Sequence, residues 1–148
     1  VDVRGGQKFK EKDCVAVMKE QNKQFIKDWI EKKLQGQGDP LEDIEEDITM
    51  IIPGSGTNPI FGKHVGMEEF KKILGLLQNK VSQTFKVTDC IAEGNQVVAL
   101  IEETLTRKDD PSKHYLNHTA WLFKLKDSQK IGYIYTYDNT VVSSKALE

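Results

Sequence analysis

Ile131-Gly132-Tyr133-Ile134-Tyr135-Thr136-Tyr137-Asp138-Asn139-Thr140 is the stretch on which the reading of this chain turns. Taken at period two, it has one face of Tyr133, Tyr135 and Tyr137 and another of Ile134, Thr136 and Asp138. Successive side chains of a strand point to opposite sides of a sheet, so the tyrosines and the aspartate face different places. An acid that closes an apolar-to-small row suits the mouth or floor of a pocket. A tyrosine row on the other face suits a layer packed on another protein surface.

Upstream of this strand lie three more strand-like segments, about residues 83–92, 96–107 and 114–126, with the last strand itself spanning about 130–142. The links between them carry turn residues: Glu93-Gly94-Asn95, Asp109-Asp110-Pro111-Ser112 and Asp127-Ser128-Gln129. The pattern predicts a meander of antiparallel hairpins. Before the meander the spacing is helical. Cys14, Met18, Phe25 and Trp29, widened by Val15, Ile26 and Ile30, make one stripe between Glu11 and Gln35, which Gly36 and Gly38 end. Asp39-Pro40 reads as an N-cap and first helical residue of a short acidic helix over 40–46. Asp47 to Ile52 reads as a strand closed by Pro53-Gly54, followed by a Gly-, Pro- and Asn-rich loop to Gly66. Phe70, Ile73, Leu74 and Leu77 mark a second long helix over 67–80.

Helices followed by a run of strands imply an α+β domain. A curved antiparallel sheet wrapped around the N-terminal helices makes a half-barrel with a cavity between the layers, where small molecules tend to bind. Residues 1–10, with Gly5-Gly6, read as a flexible arm, residues 11–142 as a single domain, and residues 143–148 as a tail.

The bulk composition narrows the function classes. With 148 residues, 38% hydrophobic and 30% charged, the chain suits one globular domain with a real core. A net charge of −2 implies no attraction to nucleic acid or anionic membrane, and no apolar run approaches a membrane span. Cys14 and Cys90 are too few for a disulfide framework and read as buried thiols, with a single bridge left open. Two thiols slightly favour the cytoplasm. A first residue Val1 rather than Met leaves a processed or secreted form open. His64, His114 and His118 share no ligand spacing, so no metal site is expected, and no phosphate loop, dinucleotide fingerprint or nucleophile elbow calls for a cofactor.

Several stretches, in this order, resemble the nuclear-transport-factor-2-like superfamily. They are Asp47-Ile48-Thr49-Met50, Pro53-Gly54, Phe61-Gly62-Lys63-His64-Val65-Gly66-Met67-Glu68-Glu69-Phe70, Glu93-Gly94-Asn95-Gln96-Val97-Val98, and Lys130-Ile131 through Asp138-Asn139-Thr140. Within it the likeness is to SnoaL-like polyketide cyclases and relatives of ketosteroid isomerase, over about residues 13–142. The resemblance implies a cone-shaped half-barrel and homodimers through the convex sheet face, with Tyr133, Tyr135 and Tyr137 in the interface. Ketosteroid isomerase places one acid at the end of the first strand and another on the penultimate strand; Ile52 and Trp121 stand at those positions here. SnoaL-like cyclases use an aspartate on the last strand, and Asp138 matches it.

Around Asp138 the resemblance implies a wall. Trp121 inward brings Asn117 and Thr119 with it, able to orient a polar group of a ligand, and Ile52, Ile134 and Thr136 complete the apolar and small surface. An Asp beside Trp121 and Ile52 is partly desolvated, which raises its pKa and suits it to moving protons near neutral pH. Glu102 and Glu103 are adjacent on a strand, so one faces inward. The resemblance favours Glu102 with Leu100 and Thr104, and an inward Glu near Asp138 gives a pair that can divide into acid and base.

Three functions follow. One is a cofactor-free isomerase, cyclase or lyase acting on an apolar cyclic or polyketide-like substrate, with Asp138 as general acid/base. Another is a carrier that binds a hydrophobic small molecule in the same pocket without chemistry. The third is a dimeric interaction domain with a vestigial cavity. A cavity holding Asp138 and another polar partner would favour the enzyme; one filled by Trp121, Phe123 and Ile134 would favour the last.

Overall fold

Alternation of apolar and polar residues sets the four-strand meander, and helical spacing sets the two long helices packed against it. A computed structural model of the chain describes residues 3–54, 57–126 and 129–148, with residues 3–12 as backbone alone. Ser55, Gly56 and the Asp127-Ser128 part of the last expected turn lie outside the described residues. The elements are α1 (Val3–Glu31), β1 (Ile44–Ile52), β2 (Gly62–Val65), α2 (Met67–Lys80), β3 (Val81–Glu93), β4 (Gln96–Arg107), β5 (His114–Leu125), β6 (Ile131–Tyr137) and α3 (Thr140–Ala146).

Six strands form one sheet in the order β2-β1-β6-β5-β4-β3. The meander β3 to β6 is antiparallel, as the hairpin links require. The sheet as a whole is mixed rather than antiparallel, because β1 lies parallel to β6, pairing Met50 with Ile134 and Ile51 with Tyr135. That pairing is long-range, and no local turn announces it. β2, which the sequence offers only as loop, adds an antiparallel edge with Thr49 opposite Val65 and Ile52 opposite Gly62. Its four residues show no alternation; β1 alone supplies its register. A register shift between Val87 and Asp89 bends β3. Such bulges increase local twist and let a sheet curl around a helical layer.

The helical layer fills the concave side. Ile26, Trp29 and Ile30 of α1 are buried, as are Phe70 and Ile73 of α2, against Ile48, Met50, Val97, Ile101, Phe123 and Ile134 of the sheet. Trp29 meets Phe123 edge-on at 5.8 Å, and its indole N–H donates to the Pro40 carbonyl at 3.0 Å, so burying the ring leaves no orphan donor. Asp39 caps a 3-10 turn over Pro40–Asp43 by accepting from the Leu41 N–H at 2.9 Å. A second 3-10 turn, Lys33–Gln35, carries the chain out of α1 to Gly36, whose φ of +88° is open to glycine at no steric cost.

Both chain ends differ from the sequence expectation. Residues 3–10 continue α1 as helix rather than forming an arm. After Tyr137 the chain turns into α3 instead of extending as strand to 142 and then a tail. Asn139 caps this helix, accepting from the Val141 and Val142 N–H groups at 3.1 and 3.4 Å. Ser143, Ala146 and Leu147 are buried, and Asn58 donates to the Leu147 carbonyl at 3.1 Å. Cys14 is exposed and Cys90 partly buried, and both are free thiols. Among the described residues no helix is long and apolar enough to cross a membrane.

Candidate active site in the cone

A cavity of about 450 Å³ lies between the concave sheet face and the helices. Its walls are mostly apolar: Trp29 from α1, Met50 and Ile52 from β1, Phe70 and Leu74 from α2, Trp121 from β5 and Ile134 from β6. Phe85 of β3 meets Trp121 edge-on at 5.3 Å, which fixes the indole against the wall. Into this surface project the polar groups Gln83, Glu103, Thr136, Asp138 and Ser143. Of the residues expected at the pocket, Ile52, Trp121, Ile134, Thr136 and Asp138 line it. The cavity is open rather than filled by Trp121, Phe123 and Ile134.

Four expected residues do not line the cavity, and two of these, Leu100 and Glu102, face the other side of the sheet. Leu100 is 38% exposed on the outer face, and Glu102 shares that face. The inward row of β4 is Val97, Ala99, Ile101, Glu103 and Leu105, so the strand is one residue out of phase with the expectation. Both faces of β4 are apolar, Val98 and Leu100 outside against Val97, Ala99 and Ile101 inside, and hydrophobicity alone leaves the phase undecided. Pairing decides it: Glu103 stands opposite Asn117, and Ile101 opposite Thr119. The inward carboxylate is therefore Glu103.

Asn117 and Thr119 do face inward, at 1% and 5% exposure, but their polar groups are engaged within the protein. Thr119 donates to the Tyr137 carbonyl at 3.1 Å, and Asn117 donates to Ser143 Oγ at 3.5 Å while accepting from the Asn139 N–H at 3.4 Å. Neither residue lines the cavity. The histidines stay outside as well; the His64 ring lies 2.8 Å from the Ile60 carbonyl oxygen and 3.7 Å from the Glu69 carboxylate. Among the described residues no three His, Cys, Asp or Glu side chains converge to hold a metal ion.

The two acids have unlike environments. Glu103 is 5% exposed, and burial pushes its carboxyl up to about 7; the charge of Asp138 adds to the rise, while the amides of Gln83 and Asn117 oppose it. Gln83 donates to Glu103 Oε2 at 3.0 Å. Burial also raises the Asp138 carboxyl, and a 2.5 Å hydrogen bond from Ser143 Oγ to Asp138 Oδ2 pulls it back down. Asp138 Oδ1 is buried with no hydrogen-bond partner among the described residues. Burial disfavours a charged carboxylate, and hydrogen bonds to it favour it; Glu103 lies further toward the neutral form. Sequence reasoning had no signal for Gln83. For Ser143 a signal existed in the Asn139-Thr140 capping pair, which starts the helix that delivers it.

The curved mixed sheet, the helical inner layer and the cavity between them define an α+β cone with an internal pocket. The fold is that of the nuclear-transport-factor-2-like proteins. An NTF2-like protein from Burkholderia xenovorans LB400 superposes with a TM-score of 0.73 at 23% identity, covering 88% of this chain and 98% of its own. A candidate SnoaL-like polyketide cyclase from Jannaschia sp. CCS1 superposes with a TM-score of 0.71 at 16% identity, covering 87% and 92%. An LEH-like epoxide hydrolase from Mycobacterium tuberculosis superposes with a TM-score of 0.66 at 15% identity, covering 88% and 91%. No protein-family profile and no curated protein matches the sequence.

Proposed function

We propose that this protein binds an apolar cyclic or polyketide-like molecule in the cone and moves protons on it with Glu103 and Asp138, without a cofactor. The observation that carries this reading is the pair itself: two carboxyl groups on the wall of a mostly apolar 450 Å³ cavity, one of them pushed up to about 7 by burial. Carboxyl groups whose environments separate their pKa values divide naturally into acid and base. Asp138, whose Oδ2 accepts from Ser143, is the general base that takes a proton from carbon beside a carbonyl. Glu103, neutral to about pH 7, is the acid that donates to the oxygen as negative charge develops there. Such proton transfer serves isomerisation, aldol cyclisation or dehydration. Fold neighbours described as a polyketide cyclase and an epoxide hydrolase support a small-molecule substrate. The open cavity and the polar partners of Asp138 favour chemistry over an empty vestige.

The test is deuterium wash-in. A panel of bicyclic ketones beginning with 1-tetralone is incubated with the protein in D2O, and exchange beside the carbonyl is followed by NMR. Exchange above that of the Asp138→Asn variant is expected for those members that bind. Binding without any excess exchange across the panel would replace the enzyme with a carrier.

The outer sheet face supports a homodimer. Ile91, Val98, Leu122 and Tyr135 lie in register across four strands, and Leu100, Ala120 and Tyr137 form a parallel row beside them. Ile91, Leu100, Leu116 and Tyr137 are exposed there. Contiguous exposed apolar surface of this kind marks association sites.

A further inference from the structure

Asn117 does not line the cavity, yet it is 1% exposed on the strand between the two acids. Its amide orientation is set by a donor that cannot reverse: the Asn139 backbone N–H can only donate, so the Asn117 atom 3.4 Å away is the oxygen. The two amide hydrogens of Asn117 then point elsewhere. One goes to Ser143 Oγ at 3.5 Å. Asn117 also stands opposite Glu103 in the β4–β5 register, where its amide opposes the rise in the Glu103 pKa. Ser143 Oγ, already accepting from Asn117, turns its own hydrogen to Asp138 Oδ2 at 2.5 Å, the acceptor available to that hydroxyl among the described residues.

We infer that Asn117 and Ser143 are positioning residues: together they form a one-way hydrogen-bond relay that commits Asp138 Oδ2 to accepting and leaves Oδ1 as the oxygen that takes the proton when Asp138 becomes neutral. A proton on Oδ2 would strand the Ser143 hydrogen without an acceptor in a buried site. A neutral Asp138 therefore carries its proton on Oδ1, the oxygen with no hydrogen-bond partner among the described residues. The charge of Asp138 also raises the Glu103 carboxyl, so a change in the titration of Asp138 is felt at Glu103. The relay starts at the N-cap of α3, and Ser143 sits one turn inside that helix, so α3 sets the protonation geometry of the last strand.

The inference concerns the site of the proposed acid/base pair, but its test needs no substrate. Carboxyl carbons of the 13C-labelled protein are followed by NMR against pH in wild type, Ser143→Ala and Ser143→Thr. Removing the hydroxyl should raise the Asp138 titration by about one pH unit, since a hydrogen bond to the charged form is lost. The Glu103 titration should fall, because a neutral Asp138 no longer repels its charge. Threonine keeps the hydroxyl and should restore both curves. An unchanged Asp138 titration in a folded Ser143→Ala protein would overturn the relay. Where the alanine variant does not fold, Ser143→Cys, a weaker donor of similar size, decides by the same readout, with a partial upward shift expected and no shift overturning it. Absence of turnover on every ketone would remove the proposed function and leave these titrations untouched.

Discussion

Asp138 stands close enough to Glu103 that its charge adds to burial in holding the Glu103 carboxyl near 7. Such a group is a liability to the fold and a resource for chemistry at the same pH. Below the unfolded-state value, near 4.5, native and unfolded chains both carry the proton and no penalty exists. Above it the unfolded chain releases the proton while the native state keeps it. Stability therefore falls as pH rises from about 4.5 through about 7, by an amount on the order of 3 kcal/mol for a shift of this size. Urea midpoints measured from pH 5 to 8 should decline for wild type. Glu103→Gln, which keeps the volume and an acceptor for Gln83, should flatten that decline and be the more stable protein at pH 8. A wild-type midpoint independent of pH over this range would contradict the buried-acid reading.

The same pair predicts how chemistry and binding separate. Asp138→Asn removes the base and Glu103→Gln the acid. Each should lower the exchange rate by about 10²–10⁴, the range for general acid/base groups, with dissociation constants within a few-fold of wild type. Trp121 lines the cavity, so quenching of tryptophan fluorescence reports occupancy independently of turnover. Wild-type activity should fall above about pH 7, as Glu103 loses its proton. If both variants exchange the ketones as fast as wild type, neither residue touches the reacting atoms.

A second surface is testable without any ligand. Tyr135 and Tyr137 stack at 4.2 Å on the outer face, and Lys124 Nζ lies 4.6 Å from the Tyr133 ring centroid, so each of the three rings is braced by a neighbour. Leu116→Lys combined with Tyr137→Lys places charge on two exposed apolar residues of that face. Sedimentation equilibrium should show a dimer for wild type and at least a hundred-fold weaker association for the double variant, as loss of two central contacts of about 2 kcal/mol or more each implies. A wild-type monomer at high micromolar concentration would dispose of the proposed interface.

How far the fold was legible depends on where its information sits. The periodicity of Phe70, Ile73, Leu74 and Leu77 marks α2 over Met67–Lys80, and the flanking turn residues bound β4 over Gln96–Arg107. These elements are specified by their own residues. The parallel β1–β6 pair is specified by contacts between segments about eighty residues apart, such as Met50 with Ile134, and β2 takes its register from β1 across the intervening loop; local pattern encodes neither. The candidate site divides in the same way. Asp138 shares its face with Ile134 and Thr136, where alternating tyrosines make the phase of β6 plain. Glu103 sits on a strand apolar on both faces, so its direction is fixed only by its pairing with Asn117. Ser143 reaches Asp138 through a helix that β-branched Val141 and Val142 disguise as strand.

The cavity wall also depends on a residue with no side chain. Gly54 lies two residues past the end of β1, against the Phe61 ring: a Cβ at position 54 would fall 2.2 Å from Phe61 Cδ1 and 2.3 Å from Cγ. Those atoms are the root of a rigid ring, so Phe61 cannot yield by a small rotation of a flexible tip. Phe61 lines the cavity beside Ile60, and the Asn58 turn below it holds Leu147 in place. Gly54→Ala must therefore push the ring off its seat, at about 1–3 kcal/mol for an overpacked site. The displaced ring changes the cavity wall near Ile52 while leaving Glu103 and Asp138 on their strands. Thermal unfolding should show a modest loss of stability, ligand binding read by tryptophan quenching should weaken at least ten-fold, and the carboxyl titrations should stay at their wild-type positions. Gly54→Ala combined with Phe61→Leu removes the clash and should recover most of the stability. Failure of the second substitution to recover it would mean that the glycine serves the backbone rather than the ring.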